Sequence, residues 1–236
     1  MTRGRASSSS SAWVRLRHEI ISCTHCPRLV RYREKVAREK RKQFMDWKYW
    51  GAPLPGFGDT KAELVIIGLA PAAHGGNRTG RMFTGDGSAR FLMRALHAAG
   101  FASQPTSEHR RDGLEMRKAF MTAVVRCPPP RNRPNASELA SCSSYLDREL
   151  ALLTSARVIL TLGHVAFKGY LGHLRRRALH APCLTFKHAE TYSMPAGFPA
   201  IVASYHPSRQ NTQTGRLTSA MMDQALTAVK QVLSRN

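Results

Sequence analysis

Acidic residues are scarce in this sequence. Its 236 residues include 15 Asp and Glu side chains against 36 Lys and Arg, a formal net charge of +21. A strongly basic chain favours a polyanionic partner, because neutralisation of phosphates supplies most non-specific affinity for nucleic acids. The basic residues recur along the whole chain rather than in one amphipathic helix, so nucleic acid is favoured over a membrane surface.

Long apolar runs are missing as well. No stretch of about 18 apolar residues is present, which excludes a transmembrane helix, and residues 1–11 lack the apolar centre of a secretory signal. Five cysteines in such a chain argue against a disulfide framework. We therefore expect a cytoplasmic protein without a membrane partner.

The two common nucleotide-binding loops are also absent. Residues 75–82 read G-x-x-x-x-G-R-M, so Arg81 and Met82 replace the lysine and the hydroxyl of a P-loop. No G-x-G-x-x-G opens a helix after a strand. An NTPase or a dinucleotide-binding enzyme is therefore disfavoured.

Short apolar runs alternate with segments of helical periodicity. They predict strands over 64–69, 120–126, 157–162 and 200–204, and helices over 13–21, 88–99, 137–153, 164–171 and 214–233. This alternation favours a three-layer α/β/α sandwich with a central, mostly parallel, four-stranded sheet. We predict a disordered basic tail over residues 1–12 and a single domain over residues 13–236. The charge-dense segment 31–42 is typical of a solvated helix face.

Four of the five cysteines form a candidate metal site. Cys23 and Cys26 make a C-x2-C pair, and Cys127 and Cys142 make a wider second pair. Four thiolates suit either zinc or an iron–sulfur cluster, and ligand chemistry alone does not separate the two. For Cys183 we expect a small buried side chain without a ligand role.

The segment after the first predicted strand carries the most specific pattern. Residues 68–81 read G-L-A-P-A-A-H-G-G-N-R-T-G-R, F-T-G-D follows at 83–86, and Y-H-P-S stands at 205–208. With this combination the chain resembles the family 5 (type b) uracil-DNA glycosylases, from Cys23 to about Thr218. The resemblance implies the fold of that superfamily and a monofunctional hydrolase that releases uracil and other deaminated bases from DNA in base excision repair.

The resemblance also implies a cofactor and partners. It places a 4Fe-4S cluster at Cys23, Cys26, Cys127 and Cys142, with zinc as the alternative, and it implies double- and single-stranded DNA as the partner of a monomer. A zinc-stabilised nucleic-acid-binding module without catalysis is the competing hypothesis, because charge and cysteines alone permit it. A pure binder, however, has no use for polar catalytic candidates beside a glycine-rich loop.

Breaking an N-glycosidic bond to uracil requires two kinds of group. A donor must stabilise the anionic base, and a carboxylate or amide must position water and offset positive charge on the sugar. The resemblance assigns the donor to His206, and the lack of polar side chains early in the first motif directs the second role to Asp86 or Asn132. Asp86 equally suits an N-cap, and Asn132 suits an ordinary turn between prolines.

The resemblance further supplies contacts to base and DNA. Phe83 would stack on an extruded base. Ala123 occupies the place where related families have an asparagine that reads the pyrimidine edge, so we expect weak rejection of analogues and activity on hypoxanthine. The implied base-binding residues are Gly68, Ala70, Pro71, Ala72, His74, Gly75 and Phe83. The implied DNA-binding residues are Asn77, Arg78, Arg81, Ser208, Arg209, Gln210 and Arg216.

Overall fold

The predicted sheet is present, with a short extra strand at each edge. The computed structural model describes residues 4–177 and 183–235. One six-stranded sheet has the order β1-β3-β2-β4-β6-β5, formed by β1 (Phe57–Gly58), β2 (Leu64–Gly68), β3 (Ala119–Ala123), β4 (Val158–Leu162), β5 (Thr191–Tyr192) and β6 (Ala200–Ser204). The four central strands are parallel, which confirms the prediction, and the edge strands β1 and β5 pair antiparallel.

Helices cover both faces of this sheet. Within the described residues they are α1 (Gly4–Ile21), α2 (Pro27–Glu39), α3 (Gly76–Thr79), α4 (Gly87–Ala98), α5 (Ala136–Leu152), α6 (His164–Arg176), α7 (Arg209–Gln213) and α8 (Ser219–Ser234). None of the helices in that part of the chain combines the length and apolar character that a bilayer crossing requires.

The strands are buried on both sides. Every position of β2, β3 and β4 is buried, so these strands are continuous apolar runs rather than alternating ones. Leu64 and Ile66 belong to one core with side chains of α4 and α8, whereas Val65 and Ile67 belong to a second core with side chains of α5 and α6. Successive side chains of β2 therefore point to opposite faces of the sheet, and a layer of helices on each face completes the predicted three-layer sandwich.

The parallel register brings the strand ends to one edge. Gly68 pairs with Ala123, and Leu162 pairs with Ser204. The loops that leave β2, β3, β4 and β6 therefore start side by side, at the edge where ligands bind in open α/β sheets. Both sequence motifs lie there.

The N-terminal segment is helical from Gly4, which corrects the predicted disordered tail for residues 4–12, whereas residues 1–3 lie outside the described residues. The second half of α1 is anchored in the protein. Leu16 and Ile20 are buried, and the ring of Trp13 lies 5.3 Å from that of Phe120. Once that half is fixed, the helix extends without a new nucleation cost.

An ion pair lies inside the protein beside β3. The side chains of Arg126 and Glu149 are each 1% exposed, and Arg126 Nη2 donates to Glu149 Oε2 at 2.9 Å. Glu149 also accepts from Thr122 Oγ1 at 2.5 Å and from the N–H of Gly56 at 2.8 Å. The carboxylate of α5 thereby joins β3 to the segment before β1.

We expect Glu149→Gln to destabilise the fold by about 3 to 5 kcal/mol, because it leaves Arg126 as a buried cation without a counter-charge. Urea unfolding followed by circular dichroism measures the loss. Glu39→Gln is the matched control, since the pair of Glu39 with Lys35 is exposed and such pairs contribute about 0 to 1 kcal/mol. Equal losses in the two variants would contradict the structural role of the buried pair.

Candidate active site

The first motif leaves β2 and turns at the carboxyl edge of the sheet. The N–H groups of Val124 and Val125 donate to the carbonyls of Gly68 and Leu69, each at 3.0 Å, so the loop first continues alongside the end of β3. It then enters the short helix α3, which is followed by the C-cap residue Gly80 with φ +79. A left-handed backbone conformation at this position favours glycine.

Phe83 packs its ring on Gly68. A Cβ at position 68 would lie 2.6 Å from Phe83 Cζ, so a side chain there would displace the ring. Phe83 has φ +45, a strained conformation for a residue other than glycine. Its ring centroid lies 6.5 Å from that of His206. The structure therefore brings the predicted stacking residue and the predicted donor together.

His206 follows β6 and is fixed through its backbone. Its carbonyl accepts from the N–H of Ser208 and from Nδ2 of Asn211, each at 2.8 Å. Gly163, with φ +87, abuts it, since a Cβ there would lie 3.1 Å from His206 Cβ. Burial lowers the pKa of His206 to about 4. The imidazole is therefore neutral near pH 7 and has one N–H to donate.

Asp86 is both a helix cap and a neighbour of the first motif. Its Oδ1 accepts from the N–H of Ala89 at 2.9 Å at the start of α4, as the alternative interpretation predicted. Its Oδ2 lies against Gly75, where any Cβ would overlap it. Burial raises the pKa of Asp86, which makes the carboxylate a stronger base than an exposed one.

Asn132 lies on the turn after β3. Arg131 and Asn132 have φ values of 54° and 56°, and the side chains of both are exposed. Among the described residues, Asn132 is not one of the neighbours found for Gly68 or for the ring of His206. Its role in positioning water stays a prediction, as does that of Asp86.

The remaining predicted base-binding residues shape the loop. His74 Nδ1 lies 3.0 Å from Tyr49 Oη, and burial lowers the pKa of His74. Ala70 packs against the core that contains the cysteines, and Pro71 is buried. The carbonyl of Ala72 accepts two backbone N–H groups of the same loop. Their contact with a base stays a prediction.

Three predicted DNA-binding residues are buried instead. Asn77, Arg78 and Arg81 are 0%, 3% and 5% exposed. Arg81 makes two hydrogen bonds to the carboxylate of Asp112 at 2.9 and 2.8 Å, and Arg78 donates to the carbonyl of Gly85 at 2.8 Å. Enclosed side chains do not reach a DNA backbone outside. We therefore correct these assignments to residues that hold the loop in shape.

The second motif continues into an exposed segment. Ser208 caps α7 by accepting from the N–H of Asn211, and Arg209 and Gln210 are exposed. Arg216 Cζ lies 5.3 Å from the ring centroid of Tyr205. The exposure leaves Arg209, Gln210 and Arg216 accessible to DNA, and that contact remains a prediction.

The four predicted metal ligands share one core. Cys127 and Cys142 are buried, and Cys23 and Cys26 pack against the same group of side chains. Arg33 Nη1 donates to Cys127 Sγ at 3.1 Å, and the N–H of Arg126 donates to Cys142 Sγ at 3.3 Å. Such donors stabilise negative charge on sulfur.

The thiols are strongly affected by their surroundings. Burial raises the pKa of Cys127 to about 11 and that of Cys142 to about 12. In the described part of the chain no three His, Cys, Asp or Glu side chains are arranged to hold a single metal ion. Cys183 is exposed, which corrects the expectation of a buried side chain.

Sequence reasoning missed the aromatic residues that cover the first motif. The rings of Phe44 and Trp47 lie 3.9 and 4.0 Å from Arg78 Cζ, and Tyr49 faces His74. The available signal was the density of aromatic residues in segment 44–50, directly after a basic run.

Comparison with known proteins matches this chain to uracil-DNA glycosylases in every case described below. A profile of the uracil DNA glycosylase superfamily matches residues 55–230. A type-5 uracil-DNA glycosylase of Thermus thermophilus is 46% identical over 90% of this chain and 94% of its own length, and one of Pyrobaculum aerophilum is 44% identical over 89% and 88%. A type-4 uracil-DNA glycosylase of Sulfurisphaera tokodaii is 32% identical over 65% of this chain and 56% of its own length.

We expect His206→Asn to reduce the acid sensitivity of the fold. Because burial lowers the pKa of His206 from 6.5 to about 4, the unfolded chain binds this proton more tightly, and stability falls as the pH drops through that interval. Urea midpoints at about pH 8, 7 and 5 test this. Between pH 7 and 5 the wild type should lose more stability than the variant, whereas the two should behave alike between pH 8 and 7. Equal losses at pH 5 would show that the imidazole is not shielded from water.

Proposed function

Since the chain belongs to the uracil-DNA glycosylase superfamily, we propose that it hydrolyses the N-glycosidic bond of uracil in DNA and thereby begins base excision repair. The family inferred from the motifs is confirmed by the superfamily profile and by relatives that are type-5 uracil-DNA glycosylases. The observation that carries the assignment is the arrangement of Phe83, Asp86 and His206 around the glycine-rich loop at one sheet edge.

The first task of the site is to hold an extruded base. Extrusion costs roughly a few kcal/mol of stacking and pairing. The half-buried ring of Phe83 offers a stacking face, and the neutral imidazole of His206 donates its N–H to the base carbonyl as negative charge develops there. A preorganised donor of this kind lowers the activation barrier by roughly 3 to 4 kcal/mol.

The second task is to deliver water. Asp86 Oδ1 is bound to the N-terminus of α4, which leaves Oδ2 on the side of Gly75. We assign the water to that oxygen, because the raised pKa of Asp86 favours partial proton abstraction. Water rather than lysine is the nucleophile, since exposed Lys61 precedes β2 at the opposite edge of the sheet.

Specificity should be broad. Ala123 is buried beside Leu54 and Met82, and Phe83 packs on the same group. A methyl group therefore stands where related families have the asparagine side chain that reads the pyrimidine edge. A pocket without that hydrogen-bond partner discriminates weakly between pyrimidines and purines. We therefore propose hypoxanthine and other deaminated bases as further substrates, in double- and single-stranded DNA, for a monomeric cytoplasmic enzyme.

The cysteine core suits a 4Fe-4S cluster. Cys127 at the end of β3 and Cys142 of α5 belong to this core, Cys23 and Cys26 pack against it, and two N–H donors point at the sulfur atoms of Cys127 and Cys142. We propose Cys23, Cys26, Cys127 and Cys142 as the ligands, with zinc as the alternative occupant. A bound cluster would fasten the N-terminal helices to the sheet and would supply no step of hydrolysis.

The activity is tested with duplexes that carry uracil, hypoxanthine or only normal bases, followed by alkaline cleavage of abasic sites. We expect cleavage at uracil and at hypoxanthine but not at adenine. Asp86→Asn should lower the rate at least about 100-fold, although Asn caps a helix as well as Asp does. His206→Ala should cost about 100- to 1000-fold.

Asp223→Asn, at an exposed position of α8, is the control for loss of one negative charge. A full rate in Asp86→Asn would reduce Asp86 to a helix cap and direct attention to Asn132. Binding of all the duplexes without any cleavage would favour the nucleic-acid-binding module instead.

The cofactor is tested by metal analysis. We expect about four irons per chain and visible absorption in the wild type, with loss of both in Cys127→Ser and Cys142→Ser together with a lower unfolding midpoint. Cys183→Ser is the matched control, because Cys183 is exposed. One zinc per chain would overturn the cluster assignment.

A further inference from the structure

Two basic segments flank the turn that ends in Asp86. The first is the stretch 40–48, and the second is the stretch 109–111. Their exposed or partly exposed side chains form what we call the basic collar, composed of the cations Lys40, Arg41, Lys42, Lys48, Arg110 and Arg111 together with the imidazole of His109. The two segments meet where the rings of Trp47 and His109 lie 5.6 Å apart.

Both segments are attached to the same turn. Arg78 Cζ lies over the rings of Phe44 and Trp47, and Arg78 donates to the carbonyl of Gly85 at 2.8 Å. The N–H of Gly85 donates to the carbonyl of Ser107 at 2.7 Å. Because Gly85 directly precedes Asp86, the collar has a fixed position beside the catalytic carboxylate.

The collar is electrostatically unbalanced. Within the described residues, the ion pairs formed do not include Arg41, Lys42, Lys48, Arg110 or Arg111. The acidic residues within or next to the two stretches are Glu39, Asp46, Glu108 and Asp112. Three of them pair with cations outside the collar, Glu39 with Lys35, Glu108 with Arg90 and Asp112 with Arg81. Arg78 adds a buried cation without a carboxylate partner, and its Nη1 has no hydrogen-bond acceptor.

The surface between these cations is partly apolar. Met45 is 53% exposed, and the rings of Phe44 and Trp47 are half-buried. Cations beside accessible aromatic rings are the combination with which proteins bind a nucleic-acid strand, through phosphates and unstacked bases. A solvated helix face has no need of an exposed methionine beside two half-buried aromatic rings.

We propose that the basic collar binds the DNA strand that flanks the extruded nucleotide on one side, with the segment 208–216 on the other side of the pocket. The inference rests on the proposed function, because it places the extruded base beside Asp86. Under this proposal, part of the charged run 31–42 and the aromatic segment that follows it form a DNA-binding surface rather than a solvated helix face.

The test is the double variant Lys42→Glu/Lys48→Glu, bound to a duplex that carries a stable abasic-site analogue. We expect the dissociation constant to rise at least about tenfold and the slope of log K against log salt to decrease by about 2, since two phosphate contacts are lost. Lys61→Glu/Lys230→Glu is the matched control, because it changes the charge equally at exposed positions, with Lys61 at the opposite edge of the sheet. Unfolding midpoints verify that both variants fold.

A second arm locates the contact. Two further duplexes are used, one ending at the lesion on its 5′ side and the other ending at the lesion on its 3′ side. Because the collar lies on one side of Asp86, the binding defect of the collar variant should disappear on one of these two duplexes and persist on the other. Equal effects of the collar and control variants would overturn the inference. Failure of the wild type to excise uracil would refute the proposed function, whereas a selective binding defect in the collar variant would still stand.

Discussion

Phe83, Asp86 and His206 each lie against a glycine, and a side chain at any of these glycines would displace the group that it faces. Gly68 makes room for the ring of Phe83, Gly75 for Oδ2 of Asp86, and Gly163 for the Cβ of His206. The three contacts come from the ends of different elements, which the parallel register aligns. Close approach of backbone, rather than a network of hydrogen bonds between their side chains, therefore fixes the positions of these three groups.

Burial acts on both ionisable groups in the same sense. It raises the pKa of Asp86 and lowers that of His206, so each group is pushed towards its uncharged form. In the proposed reaction a neutral imidazole donates its one N–H to the departing base and carries no second, acidic proton that Asp86 would take up. A carboxylate of raised basicity suits the activation of water, which is a weak acid.

The sequence predicts much of this arrangement and fails at identifiable points. Continuous apolar runs located the four buried strands, and the two motifs located Phe83, Asp86 and His206. The two-residue strands β1 and β5 carry no periodic signal of their own. Arg78 and Arg81 look like phosphate ligands in a glycine-rich loop, yet Arg81 is neutralised by Asp112, whose approach depends on tertiary structure.

The buried arginines hold this loop in shape through hydrogen bonds within the protein. Many glycine-rich loops are organised by a phosphate that the backbone N–H groups surround. Here guanidinium groups donate inward, from Arg81 to Thr84 and Ser107 and from Arg78 to Gly85, so they tie the motif to the turn before Asp86. Because most of these guanidinium donors bind groups of the protein itself, the loop suits an uncharged base better than a phosphate.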